Sequence, residues 1–248
     1  MLFTLTILPK PLTQIVQIII DYQCYFVQAV AYIYELPAII MNTSQIQPYD
    51  SSDIDDPIIN ETYKSLKLSH NAEFDLSFNF DFSSFELFRL YKNYSIGQVI
   101  RIQNEGIECY ITFTQVSYQL PSASKFPKAP TEEFQIWGIV FLRNNFGHIL
   151  IKPETILDKI HELINPIELD FEDDKHFSDK FYVVTNDELK AKLQMTPLFR
   201  NIITNIKVKE FVIEIIDNKL IFGDKKYAQS VTALEFVNLF DSIAKAKL

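Results

Sequence analysis

The chain has 248 residues, of which 48% are hydrophobic and 14% aromatic, so it can form a packed core and is not globally disordered. Its formal net charge of −9 argues against a nucleic-acid-binding protein, which needs a basic face to displace counterions from phosphates. The five glycines are too widely spaced for a GxGxxG or Walker A loop, which excludes nucleotide binding through a glycine-rich loop.

The N-terminal residues 1–41 are strongly apolar and predict an amphipathic helix from about Pro11 to Tyr34. Asp21 and Glu35 interrupt the run, whereas a membrane span needs about 20 apolar residues with few or no charges. The basic start and small-residue cleavage site of a signal peptide are missing. The pattern favours a helix that docks in the core or on a protein partner; a membrane-surface helix and a true span are the alternatives.

Residues 42–73 are polar and are interpreted as a linker, with a short helix over residues 60–68 as an option. The acidic stretch that begins at Asp50 does not fit a calcium loop, because Ile54 falls on a ligand position and Asp55 falls where glycine is required. A solvated segment is the interpretation that remains.

A strict alternation follows, in which the apolar members are Phe74, Leu76, Phe78, Phe80 and Phe82. Period-two alternation predicts a half-buried strand. Residues 98–103 and 107–118 predict two more strands, joined by a hairpin loop at Gly106. Cys109 shares the inward face of the second strand and is expected to be a small core residue.

Prolines and serines predict a loop over residues 120–133. Residues 134–142 and 148–151 then predict a hairpin, with Trp137 as a large core residue, and residues 153–164 predict a helix. The two cysteines, Cys24 and Cys109, form no CxxC pattern, so a reducing compartment is expected, although a single disulfide between them stays open.

Residues 177–197 combine a strand with a capped helix. The strand covers residues 181–184, and Thr185 precedes Glu188 at the spacing of a capping box. Leu189 and Leu193 are expected on the inward face of that helix. Pro197 suits the first turn of a second helix, whose predicted apolar stripe comprises Phe199, Ile202, Ile203 and Ile206.

The chain then predicts a hairpin over residues 211–222, which turns at Asp217 and Asn218, and a closing helix. That helix covers Thr232 to Ala246, and its expected inward residues are Leu234, Val237, Phe240 (or Leu239) and Ile243.

The spacing of residues in two segments resembles the bacterial family named domain of unknown function 3137. The first segment reads Phe177-x-x-x-Phe181-x-Val183-x-x-x-Asp187, and the second reads Met195-Thr196-Pro197-x-Phe199. Residues 85–116 are also similar to the middle section of that family. The resemblance covers about the last two-thirds of the chain and implies no established activity. Members often begin with a membrane-spanning hairpin, which this chain lacks in clean form.

The sequence contains no pattern that assigns a catalytic, cofactor-binding or metal-binding residue. His161-Glu162 begins an HExxH-like helix, but Asn165 stands where the second histidine must be. His70, His148 and His176 are scattered and are expected at the surface. There is no GxSxG elbow or Cys-His signature. The acidic cluster that spans residues 170–176 is the one candidate for a site assembled in space.

We therefore predict an α+β protein: meandering antiparallel strands with helices packed on one face. The expected domains are the helix in residues 1–41, a linker over 42–73, and an α+β domain over 74–248, with two lobes (74–119 and 134–248) as the alternative. The expected function is a non-enzymatic, cytoplasmic interaction domain, peripheral at a membrane in one version. Its partner, a protein or a membrane surface, would bind through the N-terminal helix, and no cofactor is expected. A small-ligand binder or a hydrolase-like enzyme is the alternative.

Overall fold

The computed structural model describes residues 56–89, 91–104, 107–118, 130–154, 166–224 and 228–248. The predicted docking helix, the acidic stretch at residues 50–55, the core of the proline-containing loop and nearly all of the helix predicted for residues 153–164 lie outside this part of the chain. Among the described helices, none is both long and apolar enough to cross a bilayer.

The described residues form six α-helices, one short 3₁₀ helix and nine strands. The helices are α1 (Pro57–Ser69), α2 (Glu86–Arg89), α3 (Lys175–Lys180), α4 (Glu188–Gln194), α5 (Pro197–Thr204) and α6 (Ser230–Ala246), and the 3₁₀ helix is Phe82–Ser84. The strands are β1 (Asn71–Phe74), β2 (Asn93–Asn104), β3 (Ile107–Tyr118), β4 (Thr131–Phe141), β5 (His148–Pro153), β6 (Ile167–Glu168), β7 (Phe181–Thr185), β8 (Phe211–Ile216) and β9 (Lys219–Asp224).

All nine strands join one antiparallel sheet in the order β1-β2-β3-β4-β9-β8-β5-β7-β6, which confirms the α+β class. The predicted hairpins β2–β3 and β8–β9 are present. The predicted pairing of β4 with β5 is wrong, because the β8–β9 hairpin lies between them. Backbone hydrogen bonds hold the inserted turn: Phe146 N donates to Asp217 O and Asp217 N donates to Gly147 O, each at 2.7 Å.

The sheet carries a hydrophobic cluster on each face. The larger cluster lies under the longer helices and contains Cys109, Phe199, Phe222, Phe236 and Phe240 among many others, so the core roles predicted for Cys109 and Phe199 are confirmed. The second cluster is rich in aromatic rings, with Trp137 beneath the segment of residues 78–94 that contains α2. The helices on the second face are short, and aromatic side chains cover most of that face.

The strand predicted over residues 74–82 ends at Phe74. Asp75 and Asp81 each accept a hydrogen bond from the backbone N–H two residues on, at Ser77 and Ser83, with both distances 2.9 Å. Such Asx turns compete with strand formation and bend the chain. The phenylalanines at positions 78, 80 and 82 are nevertheless buried, because the bent segment covers the second face of the sheet.

The folded domain begins before Phe74. Asp56 caps α1 by accepting hydrogen bonds from Ile58 N at 2.8 Å and Ile59 N at 3.3 Å. Leu66 of the same helix is buried in the larger cluster. β1 pairs with β2 at the edge of the sheet. The described residues therefore form one compact unit with one continuous sheet.

The unit predicted over residues 177–197 forms with a shifted helix start. Asp187, not Thr185, caps α4 by accepting a hydrogen bond from Lys190 N at 3.1 Å. The Thr185 hydroxyl instead donates to His148 O at 2.8 Å. Ala191 is buried, whereas Leu189 and Leu193 are exposed, so the predicted inward face of this helix is wrong.

Candidate functional site

The structure has a surface cleft. Strand β6 and the segment that follows it form one side, and the helices α4 and α5 form the other. The volume of the cleft is about 640 Å³. The lining residues are acidic (Glu168, Asp170, Glu172, Asp173, Glu188), basic (Lys192, Arg200), or apolar and hydroxyl-bearing (Phe171, Leu193, Met195, Thr196, Pro197). The acidic residues form what is called the acidic wall of the cleft, and the apolar residues form its apolar edge.

The buried side chain of Arg200 holds the acidic wall in place. That side chain is only 4% exposed, and its guanidinium lies 4.6 Å from the centre of the Phe171 ring. Nη2 donates to Asp173 at 2.5 Å, Nε donates to Asp174 at 3.1 Å, and Nη1 donates to Met195 O at 2.9 Å. A buried arginine with these partners orients the loop that carries the acidic residues.

The remaining acidic side chains face solvent without a described cation of their own. Lys192 pairs with Glu188 at 2.7 Å, and its pKa is raised chiefly by that hydrogen bond and to a lesser extent by Glu172 and Asp170. Glu168, Asp170 and Glu172 have no ion pair among the described residues, and all three are exposed. Lys192 offsets only part of their negative charge, which favours a cationic occupant.

The apolar edge continues beyond the cleft. Leu189 and Leu193 lie four residues apart on one side of α4 and are 85% and 72% exposed, and Leu198 at the start of α5 is 52% exposed. Single exposed leucines are ordinary, but neighbouring ones beside a cleft are typical of interaction surfaces.

Several polar groups of the cleft are engaged in structural contacts. The Thr196 hydroxyl accepts a hydrogen bond from Phe199 N at 3.3 Å and so caps α5. The acidic groups that contact Arg200 or Lys192 are held in ion pairs. In the described part of the chain, no group of three or more His, Cys, Asp and Glu side chains could hold a metal ion.

A second polar arrangement joins His148 to Glu214 and was missed by the sequence analysis. Glu214 is fully buried on β8, and its carboxylate lies 2.7 Å from His148 Nε2. The same carboxylate accepts hydrogen bonds from Glu86 N and Leu87 N, each at 2.9 Å. These bonds attach α2 to the second face of the sheet, so the arrangement has a structural role.

The structure divides the acidic cluster predicted over residues 170–176. Asp170, Glu172 and Asp173 line the cleft. Asp174 lies beside it, where it caps α3 and accepts from Arg200. His176 is exposed outside the cleft, as expected, whereas the surface position expected for His148 is wrong because its side chain is only 16% exposed. The helix with His161 lies outside the described residues.

Comparisons with known proteins give little similarity. No protein-family model matches the chain, and no curated protein matches it. One solved structure, the crystal structure of the mycobacterial trehalose monomycolate transport factor A, TtfA, aligns at 11% identity over 78% of this chain and 98% of that chain, with a TM-score of 0.45. That similarity is too low to carry an argument about function.

Proposed function

We propose that this chain is a non-enzymatic interaction domain that holds a partner protein against the cleft beside α4. The exposed leucines at positions 189 and 193, next to an acidic wall, are the observation that carries the proposal. The N-terminal segment, residues 1–41, is proposed to dock on a protein or membrane surface and so to place the domain in the cytoplasm or at a membrane. Membership in the family named domain of unknown function 3137 stays a prediction.

The use of polar groups within the cleft supports interaction rather than catalysis. Arg200 and Thr196 serve the structure of the loop and of α5, and no lining residue is a histidine, cysteine or serine. Nucleophilic catalysis by a histidine, cysteine or serine therefore has no candidate among the described lining residues. The carboxylates, which could act as general acids or bases, are all exposed to solvent. The cleft therefore suits recognition of a partner.

A small-ligand binder is the second candidate. The cleft volume of about 640 Å³ falls within the range of about 300–1,000 Å³ that is typical of small-molecule sites. This candidate does not account for the exposure of Leu189, which lies on α4 outside the lining of the cleft.

The proposed docking role of the N-terminal segment is tested by fractionating full-length protein and a variant without residues 1–41. We expect the full-length protein to sediment with membranes or in a large complex, and the variant to stay soluble and folded, because the described domain has its own core. If both forms stay soluble and the shortened protein unfolds, the segment is part of the core and the docking proposal is wrong.

A further inference from the structure

We infer that the occupant of the cleft is a basic amphipathic segment of a partner protein, with lysine or arginine side chains towards Glu168, Asp170 and Glu172 and apolar side chains on Leu189 and Leu193. This inference rests on the proposed function and names its partner class. The acidic part of the surface requires basic groups on the occupant, and the exposed leucines require apolar groups.

The charge distribution determines the sign of the occupant. Five of the lining residues are acidic and two are basic, and both basic groups already pair with acidic ones. An anionic ligand or an anionic lipid surface would be repelled from this wall. A second copy of the chain is a poor occupant, because the chain has a net charge of −9 and no run of lysines or arginines.

The leucines determine the length of the occupant. A small cation within the cleft would neutralise the acidic wall but would leave Leu189, which is not a lining residue, in water. A peptide helix that lies along α4 covers both leucines while its basic side chains reach the cleft. A chain-like occupant therefore accounts for both observations at once.

The inference is tested by fluorescence anisotropy with the full chain and a labelled leucine–lysine helical peptide of about four turns, leucines on one face and lysines on the other. A leucine–glutamate peptide of the same pattern and the small cation spermine are compared as probes. One variant carries Glu168→Gln, Asp170→Asn and Glu172→Gln, and another carries Leu189→Ser and Leu193→Ser.

Matched controls lie elsewhere on the surface. The charge control carries Glu61→Gln, Glu108→Gln and Glu132→Gln and therefore has the same net charge as the acidic-wall variant, and Leu68→Ser is the control for an exposed leucine. We expect each cleft variant to weaken binding of the leucine–lysine peptide by about tenfold or more, and each control to change it less than about twofold. Added salt is expected to weaken the wild-type complex more than the acidic-wall variant.

Three results would overturn the inference. One is no binding of the leucine–lysine peptide by the wild-type chain, and another is equal loss in the cleft variants and their controls. The third is spermine binding that the acidic-wall variant loses and the leucine variant keeps, which would make the cleft a small-cation site. If the inference fails while the full-length protein still sediments through residues 1–41, the proposed interaction role of that segment stands without this partner class.

Discussion

The guanidinium of Arg200 lies 3.1 Å from the carboxylate of Asp174 and holds it beside Asp173, at the start of α3. Because the arginine is buried and stacks on Phe171, the loop with the acidic wall has a fixed position relative to α5. The wall is therefore preformed, so less conformational entropy is lost when a partner binds.

Replacement of Arg200 tests this support. Arg200→Ala removes three hydrogen bonds and the contact with Phe171, and we expect it to lower the free energy of unfolding by about 2 kcal/mol. Asp173→Asn is the matched control and should cost less than about 0.5 kcal/mol, because Asp173 is 64% exposed and its ion pair is screened by water. Equal losses in urea unfolding would contradict the supporting role of the arginine.

A glycine allows Trp137 to pack across the strands. Gly223 pairs with Trp137 in the sheet, and a Cβ atom at position 223 would lie 2.4 Å from the indole ring. Gly223→Ala is expected to cost about 1–3 kcal/mol through overpacking, measured by circular dichroism during urea unfolding. Trp137→Leu should cost less in the Gly223→Ala background than in the wild type; purely additive losses would show that the two positions do not conflict.

Thr62 has a buried hydroxyl with no hydrogen-bond partner among the described residues. Thr62→Val removes this polar group at nearly constant volume and is expected to raise the free energy of unfolding by about 1 kcal/mol. Thr196→Val is the contrasting variant, because its hydroxyl caps α5, and it should lower stability by about 1 kcal/mol. A loss of stability in Thr62→Val would mean that its hydroxyl has a partner.

The thiol of Cys109 predicts a dependence of stability on alkaline pH. Burial raises its pKa from 9.0 to about 12, so above pH 9 the unfolded state loses this proton before the folded state does. The stabilising contribution is complete below pH 9 and falls as pH rises towards 12, by at most about 1.4 kcal/mol per pH unit. Cys109→Val should show a shallower decline of unfolding free energy between about pH 9 and 11 than the wild type; identical slopes would contradict the assignment.

The sequence predicted elements better than it predicted how they pair or which side they bury. The alternation from Phe74 to Phe82 is genuine, but Asp75 and Asp81 form local turns that end the strand. Competition between side-chain and ladder hydrogen bonds is not visible in an apolar pattern. The β4–β5 pairing failed because the inserted β8–β9 hairpin comes later in the chain, and only tertiary contacts select it.

The candidate site was only partly predictable. The acidic residues at its wall form a cluster in the sequence, but the buried cation at Arg200 lies 26 residues from Asp174 and no local pattern joins them. For Leu189 and Leu193, helical spacing identifies the shared face but not whether that face is buried, which depends on how α4 packs in the tertiary structure. Glu214 did carry a signal: a single glutamate within an apolar strand, where a buried charge requires partners.

The most direct test of the interaction proposal is photo-crosslinking in cells of the source organism, with benzoylphenylalanine in place of Leu193 and, as a control, in place of Leu68. Both leucines are exposed, but only Leu193 lines the cleft. We expect position 193 to give one discrete protein adduct that disappears when Glu168, Asp170 and Glu172 are neutralised, and position 68 to give none. No adduct at position 193, or the same adducts at both positions, would contradict the proposal that the cleft holds a partner protein.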